Sequence, residues 1–293
     1  MSAPAVHGEP VPEESVQEES VQEESVQEES VLERLRWAVA DGLTVAGRDV
    51  AHWRRRPAAL LVGLLFPVLL LVMFGYLLGG GMVVPGGGDY LDFLFPGMLA
   101  LAMVFGLEAT MTAVATDAGR GITDRFRSLP MAPSAVVLGR FLADVAASVA
   151  GLLVLLAGGL AIGWRPGAVG PALAAVGLLL LLRLACLWAG IHLGLVARDP
   201  AAVVAVQILV WPFAFLSNAF VATATMPGWL AAVAEWNPLA TTVTAVRELF
   251  GNPVGAGGGW PTENALLLAV VWPVVIGTVF AVLSVRRYQA LSR

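Results

Sequence analysis

Six stretches of this sequence are apolar for long enough to cross a lipid bilayer, and that property restricts the fold more than any other. A helix needs about 20 residues to span the hydrocarbon core. The stretches fall at roughly 58–78, 93–116, 138–163, 172–197, 201–222 and 265–285. The first, fifth and sixth carry no charge; the second holds Glu108, the third Arg140 and Asp144, the fourth Arg183. Pro67, Pro212 and Pro273 fall within spans, where neighbouring helices accommodate the lost hydrogen bond. Charged residues make up only 13% of the chain, about half the share usual in a soluble domain. The expected fold is an all-α integral membrane protein with six transmembrane helices.

Charge sets the expected orientation. All 17 basic residues are arginine. With both termini cytoplasmic, fourteen arginines lie inside, Arg165 and Arg247 outside, and Arg183 in mid-span. The positive-inside rule selects that topology in the plasma membrane. Segments 79–92, 164–171 and 223–264 are then external. The last is only half polar, with Trp229, Leu230, Val233, Trp236 and Leu239. It is expected to form a re-entrant or surface-lying helical pair, because irregular backbone cannot face lipid.

Ten of the 22 acidic residues precede the first arginine, Arg34, so the remaining chain carries a net charge of +5. Residues 1–31 contain a five-residue repeat, with Ser15, Ser20, Ser25 and Ser30 in register. A five-residue step turns a helix by about 140° past its start, so the repeat makes no continuous apolar stripe. This tail is expected to be disordered. Beyond it, Leu32, Leu35, Val39, Leu43, Ala46, Val50 and Trp53 recur at steps of three and four. They predict an amphipathic helix lying in the membrane interface, with its arginines near lipid headgroups.

The sequence excludes several kinds of chemistry. Without lysine it has no phosphate-binding P-loop and no Schiff-base lysine. One cysteine, Cys186, and three histidines rule out a disulfide scaffold and the usual zinc sites. Nothing marks it as a nucleic-acid binder, and no cofactor is expected on this chain.

The cytoplasmic loop between the second and third spans carries the strongest local signal. Thr123 can cap a short helix that Pro130 ends, and Phe126, Leu129 and Met131 stand as apolar knobs among charges. Such a helix suits docking to a soluble protein; a positive loop that only sets topology fits the composition equally well. The run GITDRFRSLPMAPSAVVLGR, Gly121 to Arg140, resembles the coupling loop of type-2 ABC transporter permeases. It is especially similar to the daunorubicin- and doxorubicin-resistance type of drug and lipid exporter. A second run, FLSNAFVATATMPGWLAAVAEWNPLATTVTAVREL from Phe215 to Leu249, resembles the family's last external segment. Residues 32–290 follow the family's order of spans and connections.

The resemblance implies a permease domain over 32–290 that performs no chemistry itself. It implies a partner ABC ATPase dimer that binds ATP and magnesium, and a second permease copy, expected as a homodimer. The cargo implied is an amphipathic drug or lipid-like molecule moved outward. By the same resemblance Gly121, Asp124, Arg125, Phe126, Arg127, Pro130 and Met131 would dock into the ATPase through a short coupling helix.

Charged and polar groups at membrane depth are the remaining candidates, because they are costly there and usually face a partner or a pathway. They are Glu108, Asp144, Arg183 and Asn218. A structural Glu108–Arg183 or Asp144–Arg183 pair, polarity along a cargo path, and a proton relay all fit. Asn218 fits either helix adhesion or the path. A proton-coupled secondary transporter would use Glu108 or Asp144 as its relay, but no internal repeat of spans is visible. An integral-membrane lipid-modifying enzyme would need clustered acidic metal ligands, and the sequence has no DDxxD run.

Overall fold

The computed structural model describes residues 67–82, 84–85, 87–119, 133–197, 200–255 and 258–291. The acidic tail, the amphipathic helix expected over 32–53, the start of the first span and the coupling residues Gly121 to Met131 lie outside the described residues. Among those described, all regular structure is helical. Helix α1, Pro67–Leu77, ends in a π-helical turn, Met73–Leu78. Then follow α2 Tyr90–Gly119, α3 Pro133–Ala161, α4 Val169–Val196 and α5 Pro200–Phe215. A short hairpin of α6 Gly228–Glu235 and α7 Pro238–Phe250 leads through α8, Trp260–Glu263, to α9, Ala265–Leu291.

Four of these helices, α2, α3, α4 and α9, are long and apolar enough to cross a membrane. Each coincides with an expected span. The fifth expected span differs: the apolar run over 201–222 is helical only to Phe215, and 216–222 has no regular structure. Hydropathy could not foresee this, because an apolar run has the same mean hydropathy whether or not it is helical. The difference comes from α7, which supplies the polar partners that an unwound backbone requires.

The sequence specifies α7 clearly. Asn237 caps it by accepting a hydrogen bond from the Leu239 amide at 2.8 Å, Pro238 occupies the first turn, and Gly251 ends it with φ +72°. Although only 13 residues long, α7 is buried almost all round. Leu239, Val243 and Val246 sit in the same core as Leu94, Phe95 and Leu99 of α2 and Leu179 of α4. Thr241 and Thr242 donate to the Pro238 carbonyl at 3.0 and 2.9 Å, which satisfies their hydroxyls within the helix. The expected re-entrant pair is thus a hairpin whose second arm lies inside the bundle, against α2, α4 and α9.

The end of α7 is anchored to the α3–α4 connection. Trp164 packs on Phe95 and edge-on against Phe250, with ring centroids 4.4 and 4.9 Å apart. Its indole N–H donates to Asn252 Oδ1 at 3.1 Å, and the Gly167 amide donates to the Phe250 carbonyl at 2.8 Å. Outward, α9 presents Val270, Val271, Val274, Val275 and Val279 on its exposed side. Such an apolar face suits contact with lipid tails.

Helices α2 and α4 run side by side and approach closely because glycines face the partner. A Cβ at Gly190 would lie 2.8 Å from the Leu107 carbonyl oxygen, and one at Gly194 would lie 2.8 Å from that of Met111. Van der Waals packing of small residues drives helix association in lipid, where the hydrophobic effect is absent. Adding both methyl groups, by Gly190→Ala with Gly194→Ala, should cost about 1–3 kcal/mol per site through overpacking. The expected result is a lower thermal midpoint for the purified protein. Gly177→Ala, whose Cβ meets nothing within 4 Å, should leave the midpoint unchanged.

Candidate functional site

Two buried polar clusters and one isolated carboxylate occupy the helical bundle. The first cluster joins α2, α3 and α4. Arg183, 4% exposed, donates from Nε to Ser148 Oγ at 2.6 Å and from Nη2 to Thr110 Oγ1 at 3.0 Å. Thr110 Oγ1 in turn donates to Asp144 Oδ2 at 2.8 Å. Ser148 Oγ donates to the Asp144 carbonyl at 2.6 Å. Gly106 makes the room, since a Cβ there would stand 2.6 Å from Arg183 Cζ. Of the two pairings expected from the sequence, the structure links Asp144 to Arg183 through a shared threonine. The hydroxyls of Thr110 and Ser148 left no signal in a search for charged residues, because isolated hydroxyls are common in spans.

Glu108 stands apart from this cluster, so the Glu108–Arg183 pair is not formed. The reason is helical phase. Gly106 and Thr110 are four residues apart and face Arg183, whereas Glu108 lies two residues from each, on the opposite side of α2. It shares a face with Phe105 and Thr112, which meet α5: Phe105 packs on Trp211 at 5.0 Å, and Gln207 Nε2 lies 3.4 Å from Thr112 Oγ1. Glu108 Oε1 is buried and has no hydrogen-bond partner among the described residues. From the Phe105–Trp211 contact, rings continue through Phe215 at 6.1 Å and Phe220 at 5.0 Å to Phe74 at 4.8 Å.

The second cluster surrounds Arg247, which the sequence placed outside the membrane and the structure buries completely. Its Nε donates to the Phe93 carbonyl at 2.8 Å, and its Nη2 to the carbonyls of Asn218 and Ala219 at 2.9 and 3.2 Å. The guanidinium carbon lies 3.5 Å from the centroid of the Phe93 ring, a close cation–π contact. A guanidinium does not lose its proton in a protein, so the surrounding carbonyls and the Phe93 ring face a full positive charge. Asn218 Nδ2 donates to Thr244 Oγ1 at 2.7 Å. Asn237 Nδ2 reaches the carbonyls of Phe213 and Leu216 at 2.9 and 3.0 Å. Asn218 therefore ties the 216–222 segment to α7. A sequence signal existed: Asn237, Thr244 and Arg247 are spaced by seven and three, one face of a helix.

Residues 43–250 match the family model for the ABC-2 type transporter. The chain belongs to that family. It is 36% identical over 256 residues to daunorubicin resistance ABC transporter permease protein DrrB1 of Streptomyces coeruleorubidus, covering 86% of this chain and 87% of the relative. It is 22% identical over 249 residues to the probable doxorubicin resistance ABC transporter permease protein DrrC of two Mycobacterium tuberculosis strains, covering 84% of this chain and 87% of each relative. The protein is thus a membrane permease subunit of an ABC exporter, and the sites above belong to a transport subunit.

In this permease the Arg183 cluster links α2, α3 and α4 through hydrogen bonds. Removing one partner of a buried charged cluster leaves the other uncompensated, at about 3–5 kcal/mol. Arg183→Met should therefore lower the thermal midpoint and the yield of inserted protein, and adding Asp144→Asn should recover much of both. Thermal unfolding of the two variants in detergent measures the coupling.

Proposed function

We infer that this permease works as a homodimer with two ATPase subunits and exports an amphipathic drug or lipid-like molecule across the plasma membrane. ATP and magnesium bind to the ATPase partner. The absence of lysine, and with it of a P-loop, supports a separate ATPase. The resistance proteins among its relatives support the cargo class and the outward direction. Both termini are cytoplasmic in this reading, supported by the concentration of arginines in the inner loops.

The observation that carries the cargo path is the α2–α5 face. It combines an unpartnered carboxylate, Glu108, with the Phe105–Trp211 ring contact and the Thr112–Gln207 pair. Polar groups at membrane depth on a partly exposed face belong beside a cavity or a second copy rather than lipid. There, Glu108 would attract the cationic end of an amphiphile while the rings contact its apolar part. Glu108→Gln should reduce export of a cationic dye about tenfold relative to a neutral analogue, a difference of about 1.4 kcal/mol in recognition. Efflux of both dyes at equal expression tests it; equal export of the two by the variant and the wild type removes Glu108 from the path.

The cytoplasmic residues Gly121, Asp124, Arg125, Phe126, Arg127, Pro130 and Met131 form the docking element in this reading. Arg125→Glu together with Arg127→Glu reverses two charges at the interface. The double variant should still insert, yet lose co-purification with the ATPase and lose efflux. Retention of both would assign the loop to topology alone.

A further inference from the structure

We propose that residues 216–222 form a helix–coil switch at the outer end of α5, held in its unwound state by Arg247. The segment reads Leu-Ser-Asn-Ala-Phe-Val-Ala, contains neither proline nor glycine, and continues the apolar character of α5 without a break. Nothing in its sequence stops a helix. As it stands, α5 has 16 residues, about 24 Å of helix, against a hydrocarbon core of about 30 Å. Continued through Ala222 it would reach about 34 Å, a complete span.

What keeps the helix from continuing lies on α7. In a continued helix, the carbonyls of Phe213, Leu216 and Asn218 would bond the amides four residues on. Instead, Asn237 Nδ2 donates to the first two, and Arg247 Nη2 donates to Asn218 and Ala219. These carbonyls thus have two alternative sets of donors, one in their own chain and one on α7. That is the requirement for two discrete packings of one segment.

The cluster also retains what a second arrangement would use. Arg247 Nη1 and Asn218 Oδ1 are both buried and have no hydrogen-bond partner among the described residues. Buried unsatisfied groups are rare and call for an explanation. A spare donor and a spare acceptor in one cluster give the arginine a new partner once the carbonyls turn into the helix. The exporter would then lengthen and shorten α5 by about 10 Å at its outer end, whichever cargo it carries.

Hydrogen–deuterium exchange of the full chain in lipid nanodiscs tests this, with Arg247→Met as the releasing variant. The switch requires the amides of 219–222 to exchange at least about tenfold more slowly than in wild type, because they become helical; a purely structural arginine would make them exchange faster. Val221→Pro added to Arg247→Met should abolish the slowing, since the proline blocks the helix. Unchanged or faster exchange in Arg247→Met, or slowing that survives the proline, overturns the proposal. Arg247→Lys retains the charge without the fork and carries the same test if the methionine variant does not insert: slower exchange supports the switch, and unchanged or faster exchange overturns it.

Discussion

Backbone amides and carbonyls at membrane depth have no water to bond, and this constraint acts most strongly where α5 stops at Phe215. Seven residues beyond it lack helical structure, and each unsatisfied polar group in such a place would cost several kcal/mol. The structure meets much of the demand from one face of a short helix, and Tyr90 of α2 adds a hydrogen bond to the Phe220 carbonyl at 3.2 Å. Asn237, Thr244 and Arg247 project from α7 toward the 213–219 backbone and side chains. Because Arg247 also holds the Phe93 carbonyl, the same contact fixes the start of α2. The break in α5, helix α7 and the N-terminal end of α2 are therefore joined through one set of hydrogen bonds. The loop after α3 joins it through Trp164 and Gly167.

A different solution serves the α2–α3–α4 packing. Glycines at 106, 190 and 194 let α2 and α4 approach until side-chain volume, rather than sequence hydrophobicity, decides which residues touch. The space at Gly106 is filled by a guanidinium whose hydrogen bonds run to two hydroxyls and, through Thr110, to Asp144. Each cluster buries an arginine inside the protein and surrounds it with oxygen acceptors. Glu108 Oε1, by contrast, is buried with no hydrogen-bond partner among the described residues.

Much of the scaffold was legible in the sequence. The spans containing α2, α3, α4 and α9 follow from apolar length alone, and the ends of α7 follow from Asn237-Pro238 and Gly251. The interfacial character read from the tryptophans of the segment after α5 agrees with the exposure of Trp229 and Trp236, while Leu239 is buried. The polar candidates Glu108, Asp144, Arg183 and Asn218 were visible as charges and amides in apolar surroundings, and three of the four join buried networks. The burial of Arg247 was not legible, because counting arginines by loop assigns a side of the membrane and says nothing of how the side chain packs. A re-entrant helix carries its loop residues back into the protein.

Apolar length, the absence of lysine and the distribution of arginine are properties of composition along the chain, so the sequence by itself determined that this is a helical membrane protein without a P-loop lysine. Which charge meets which partner depends on helical phase across neighbouring helices, and α2 turns Thr110 toward Arg183 while turning Glu108 toward α5. Where α5 ends was also left to the tertiary structure. The residues at 216–222 suit a helix as well as an extended strand of backbone, and the choice rests on donors that α7 brings from more than twenty residues further along the chain.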